Sequence, residues 1–109
     1  MTAEIALGMP LLLAVTLGLV WLLAAGAGQV RVVDGAREAA RALARGDPEP
    51  VAFGRATTVA GPGSHVDAVW VGGEVHVTVT RRVAGPGGLF EFLPGVELEA
   101  EAVAAAETP

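Results

Sequence analysis

Between Glu4 and Arg31 the chain carries no charge. The stretch Ile5–Gly28, IALGMPLLLAVTLGLVWLLAAGAG, runs for 24 residues with Thr16 as its only polar side chain. A backbone that crosses hydrocarbon must satisfy its own hydrogen bonds, and a helix does so within one segment. As a helix this run is about 36 Å long, enough to cross a hydrocarbon core of ~30 Å with some tilt. Its apolar residues cover every face, so no side of it suits water. Thr16 can return its hydroxyl to a carbonyl one turn back. The sequence therefore predicts a transmembrane helix over 1–28. A cleaved secretory signal is the alternative, because Ala25-Gly26-Ala27 has the small residues of a cleavage site. The length of the run and the lack of a basic flank before it weigh against that alternative.

The periodicity then changes. Over 29–46 the sequence predicts an amphipathic helix continuing the span, with Val33, Ala36, Ala40, Leu43 and Ala44 as its apolar stripe. The pairs Asp34–Arg37 and Glu38–Arg41 stand at i,i+3 and are expected to offset the like charges of Asp34 and Glu38. Gly46-Asp47-Pro48 supplies a stop, with glycine at the cap and proline beyond it. Span and extension together make one rod of roughly 40 residues and about 60 Å.

The remainder, 47–109, reads as a small C-terminal domain. EPVAFGRATTVA (49–60) is a candidate second helix, and GPGS (61–64) breaks the chain. HVDAVWVGGEVHVTVTRRV (65–83) is a β-hairpin, two alternating runs joined by Gly72-Gly73. Pairing Val71 with Glu74 sets Trp70 against Val75, Ala68 against Val77 and Val66 against Val79. Those six residues share one face and are the predicted sheet core, because side chains alternate along a strand. His65, Asp67, Val69, His76, Thr78 and Thr80 take the other, wetter face. A glycine- and proline-rich connection with an oily centre, Leu89-Phe90-Glu91-Phe92-Leu93, leads to a third antiparallel strand over 96–104. The last residues, AAAETP, read as a frayed tail. The predicted fold is α+β: a long N-terminal helix, transmembrane segment plus extension, packed on a small three-stranded antiparallel sheet. Three strands alone are marginal, so their apolar face must lie on the helix stripe.

Charge and composition exclude several functions. The net charge of −5 is divided unevenly: four Arg oppose Glu4, Asp34 and Glu38 up to residue 45, whereas three Arg oppose nine acids beyond it. A nucleic-acid partner is not expected, because it requires a basic footprint. With no cysteine there is no disulfide framework and no thiolate metal site. His65, Asp67 and His76 share a strand face, but Thr80 and Thr78 stand opposite His65 and Asp67, so a metal centre is not expected. Ser64, the only serine, adjoins His65 in a turn, and the glycine clusters lack a phosphate-loop lysine. No catalytic residue, metal or cofactor is predicted, and the chain does not read as an enzyme.

Glu4 carries the most information. An acid in the first turn of a helix is favoured by the dipole. If several such helices pack together and water leaves, however, the carboxylate needs a cation or a proton. Arg31 lies about 40 Å along the helix, out of reach. The natural partner is the free α-amino group of a neighbouring copy, which makes Glu4 a subunit-registration residue. Pro10 frees the Ala6 carbonyl and is expected to kink the helix. Ala14-x-x-x-Gly18 and Ala24-x-x-x-Gly28 are small-residue pairs of the kind that let helices approach closely.

These pieces resemble a known family. TAEIALGMPLLLAV, followed by VRVVDGAREAARALARGD and GPGGLFEFLPGVELEAEAVAAAE, resembles the TadE family of pilus assembly proteins, and most closely the short TadE-like minor pilins of high-GC Gram-positive bacteria. The likeness covers nearly the whole chain, and its first piece is the most specific. It implies a pilin-like fold and a minor pilin or pseudopilin of a tight-adherence (Tad/Flp) type IV pilus. It also implies a single-pass protein of the cytoplasmic membrane with its C-terminal domain outside. Expected partners are other pilin and TadE-like subunits through the N-terminal helix, and a prepilin peptidase acting on a leader. That leader would precede Met1, which is then an internal start. Without one, Arg31, Arg37, Arg41 and Arg45 would place the domain in the cytoplasm by the positive-inside rule.

Overall fold

The computed structural model describes residues 2–83 and 95–107. Five elements follow one another: α1 (Ala3–Ala44), α2 (Glu49–Ala60), β1 (His65–Val71), β2 (Glu74–Val83) and β3 (Val96–Ala105). The fold is α+β, with a long N-terminal helix against a three-stranded antiparallel sheet of order β1-β2-β3.

α1 is one uninterrupted helix of 42 residues, so the span and the amphipathic extension are a single element. It passes through Pro10. At its far end Gly46 adopts φ 95, its N–H bonds the Leu43 carbonyl, and the Asp47 N–H reaches back to Ala42. This double closure satisfies the last carbonyls, and the positive φ explains the glycine. Pro48 then opens α2, with Pro50 in its first turn where a missing N–H costs nothing.

The hairpin has the register read from the sequence, from His65 opposite Thr80 to Val71 opposite Glu74. Gly72 and Gly73 have φ 56 and 87, the pair of positive values that matches a two-residue turn to the strand twist. β3 pairs with β2 from Val83–Val96 to Glu74–Ala105. The tail is not frayed at once: the Ala106 N–H donates to Gly73 and the Glu107 N–H to Ala44. The oily 89–93 segment lies outside the described residues.

The core sits where α1, α2 and the sheet meet. Val75, Val77 and Val79 are fully buried, Val66 nearly so, and Leu98 and Ala100 close the layer from β3. Two expectations change here. Trp70 shares the inward face but is 52% exposed, because it stands at the distal end of the edge strand β1, where the helices give little cover. It borders an open cleft with Leu43, Asp47, Glu49 and Glu107. Ala68 is only half-buried for the same reason. The buried part of α1 is also wider than a single stripe. Val32, Gly35, Ala36, Ala39, Ala40, Ala42, Leu43 and Ala44 are all buried, while Val33 is only partly covered. α1 contacts the sheet on one side and α2 on another, so two adjoining faces are covered.

α2 is what the single-stripe reading missed. Ala52, Ala56 and Ala60 line its buried face at a spacing of four. A Cβ on Gly35 would stand 2.9 Å from the Ala56 carbonyl oxygen, so the two helices touch backbone to backbone there. The alanine-rich sequence makes this close approach possible, because no larger side chain intervenes. Surface charges follow the same geometry. Glu38 pairs with Arg55 of α2 at 3.8 Å rather than with Arg41, and Asp47 is held by Arg45 at 3.1 Å and Arg55 at 3.6 Å.

Candidate functional site

The first half of α1 projects from the domain uncovered. Its most apolar 18-residue window has a mean hydropathy of 2.3 and none of it is buried within the chain. Leu7 and Leu23 are about three-quarters exposed, and Leu11, Leu12 and Leu22 nearly as much. An apolar surface this large requires lipid or other helices around it. Thr16 is turned inward on the helix, its hydroxyl donating to the Leu12 carbonyl at 2.9 Å. Among the described residues, one helix is long and apolar enough to cross a membrane.

Glu4 lies in the first turn of that helix and is exposed. It makes no ion pair among the described residues. Ala14 is exposed and Gly18 partly so, and a Cβ on Gly18 would meet nothing within 4 Å, so this small-residue pair faces outward. Ala24 is exposed as well, but Gly28 is not. A Cβ on Gly28 would come within 2.8 Å of Leu98 Cδ1 and 3.5 Å of Val83 Cγ2. Gly28 therefore serves the chain's own fold: it lets β2 and β3 close on α1 where the helix leaves the apolar run. The second small-residue pair is split between outer surface and core.

That junction holds the features sequence reasoning overlooked. Gln29 Nε2 donates to the Glu99 carbonyl at 3.0 Å, tying α1 to the outer edge of β3. Arg31 Nε donates to the Val59 carbonyl at 3.0 Å, and Arg81 Nη1 to the Ala60 carbonyl at 3.1 Å. Both guanidinium groups thus sit on the C-terminal carbonyls of α2, the negative end of its dipole. Gly61, at φ 107, lies beneath them. The signal for Arg81 was present in the strand register: Arg81 stands opposite Leu98, on the same inward face as Val75, Val77 and Val79. An arginine at an inward position needs acceptors, and α2 provides one, the Ala60 carbonyl.

The outer sheet face is acidic and open. His65 lies 3.6 Å from Asp67 on its own strand. His76 reaches Glu101 at 3.1 Å and Glu74 at 3.6 Å. The two histidines thus have separate acidic neighbours. No group of three His, Cys, Asp or Glu is placed to hold a metal among the described residues. No family model, curated protein or solved structure matches this chain.

Proposed function

We propose that this chain is a minor pilin or pseudopilin of a Tad/Flp-type type IV pilus, anchored in the cytoplasmic membrane with its α+β domain outside. The observation that carries the reading is the bare apolar half of α1 with Glu4 at its tip. In a mere tether a carboxylate at that end gains only the modest favour of the helix dipole. A subunit that packs its helix among sister helices gains a registration point. There the Glu4 carboxylate meets the α-amino group of an incoming neighbour, and a charge leaving water is matched by its opposite. The resemblance of TAEIALGMPLLLAV to TadE-like proteins points to the same assembly. The bundle of apolar helices would be the shaft, and the domain would be carried on a rigid continuation of the same helix.

The test separates this role from a fixed accessory subunit of a secretion apparatus and from a tethered binding domain. Glu4→Ala and Glu4→Gln are expected to lower the amount of protein in sheared surface fibres at least several-fold while leaving its level in the membrane unchanged. Equal incorporation of the variants, or no wild-type protein in the fibres, refutes the role. N-terminal sequencing of protein from native membranes checks the leader. Labelling of Glu74→Cys in intact cells by a membrane-impermeant maleimide checks the side on which the domain lies.

A further inference from the structure

Two arginines converge where α1 emerges from its apolar run. A Cβ at Gly61 would lie 2.9 Å from Arg81 Nη1 and 3.3 Å from Arg31 Cζ, so both guanidinium groups border one small space. They come from elements distant in sequence, α1 and the end of β2. Neither forms an ion pair with a carboxylate among the described residues. Each gives one N–H to an α2 carbonyl and keeps further donors. Arg81 is part-buried, and its Nε is shielded from solvent with no hydrogen-bond partner among the described residues. Two cations lie side by side, Arg81 partly dried and Arg31 exposed, and only main-chain dipoles oppose them among the described residues, which leaves part of the charge uncompensated. An anion supplied from outside would offset it.

The height of the pair decides which anion. If Ile5–Gly28 fills the ~30 Å hydrocarbon core, Arg31 stands about 5 Å beyond its end, inside the headgroup layer that widens the bilayer to ~40–45 Å. Arg81 is level with Gly28, because its Nη1 lies 3.9 Å from the position of a Gly28 Cβ. Arg31 is therefore within the headgroup layer and Arg81 at its inner boundary, both within reach of the lipid phosphates, and planar forks of this kind suit phosphate oxygens. We infer that Arg31 and Arg81 form a built site for the phosphate of an anionic phospholipid, which fixes the domain's rotation and height on the bilayer. The inference rests on the membrane anchoring in the proposed function and is independent of the pilus.

The test uses the full chain in nanodiscs of phosphatidylcholine with or without phosphatidylglycerol, and counts by native mass spectrometry the lipids that stay bound on ejection. Wild type is expected to retain phosphatidylglycerol over phosphatidylcholine. With about a fivefold contribution from each arginine near the surface, Arg31→Gln/Arg81→Gln is expected to lose about 25-fold of that preference. Glutamine can still donate to the Val59 and Ala60 carbonyls, so α2 keeps its cap; Arg31→Lys/Arg81→Lys, which keeps the charge, is expected to retain part of the preference. Arg37→Gln/Arg41→Gln removes the same charge farther from the bilayer and is expected to retain it all. Equal loss in that pair, or no loss in Arg31→Gln/Arg81→Gln, overturns the site alone. Failure of the wild type to enter nanodiscs of either composition overturns the anchoring as well.

Discussion

Gly35 and Gly54 are both helical glycines, yet their surroundings differ. A Cβ on Gly35 meets the Ala56 carbonyl oxygen at 2.9 Å and Ala60 Cβ at 3.1 Å, whereas one on Gly54 meets nothing within 4 Å. Alanine restricts the unfolded chain and favours helix, a gain of up to about 1 kcal/mol where space is free. Overpacking against a backbone atom costs about 1–3 kcal/mol. Gly54→Ala is therefore expected to raise the midpoint of urea unfolding in detergent micelles, and Gly35→Ala to lower it. Equal shifts would remove the close α1–α2 contact. At this scale the sequence was only partly legible: in a chain with fifteen glycines, none is marked by itself as the one that touches a neighbour. Arg81 is more readable, since alternation along β2 from Val79 puts it on the inward face, but its acceptor, the Ala60 carbonyl, lies on a helix 21 residues earlier.

The hairpin is the element that follows most directly from local chemistry. Gly72-Gly73 admits one tight turn, that turn sets the register, and the register puts valines at 75, 77 and 79 on one face. Two consequences can be measured by unfolding. Gly73→Ala forces a Cβ into positive φ and is expected to cost about 1–2 kcal/mol, while Gly72→Asn, suited to the first position of such a turn, is expected to cost much less. Val77 is fully buried and Val69 is 58% exposed, though they stand on paired strands. Val77→Ala is expected to cost about 2 kcal/mol and Val69→Ala no more than about 0.5 kcal/mol. Similar losses at both positions would mean that the outer face is covered after all. α2 is the contrasting element. Its composition permits a helix, but its role as the second layer against α1 depends on Ala52, Ala56 and Ala60 meeting small residues of another helix.

Taken whole, the molecule is a rod of 74 × 18 × 17 Å, with one half bare and the other dressed by α2 and the sheet. Continuity of α1 joins the halves, so motion of the bare half is transmitted to the domain. In lipid bilayers, a nitroxide on Leu12→Cys is expected to be accessible to oxygen and shielded from a nickel chelate, with the reverse at Arg41→Cys. The crossover is expected between Gly26 and Arg31. Nickel access at Leu12 would mean that this half does not enter the membrane.

Patterns read within a few consecutive residues settled the elements of this protein: an uncharged run long enough for a membrane, a glycine stop after a helix, a two-glycine turn between alternating strands, and a third strand with its glutamates outward. Each depends on backbone conformation and side-chain periodicity, which act over one or two turns or pairs. Tertiary structure alone decided which of the small residues are core and which are surface. Gly28 went to the fold rather than to the span, Trp70 was left half-bare at the edge, and Arg31 and Arg81 were gathered on one helix end. The physical reason is that alanine and glycine carry almost no burial preference of their own. Where they lie is set by which surfaces meet, and that meeting joins residues dozens of positions apart.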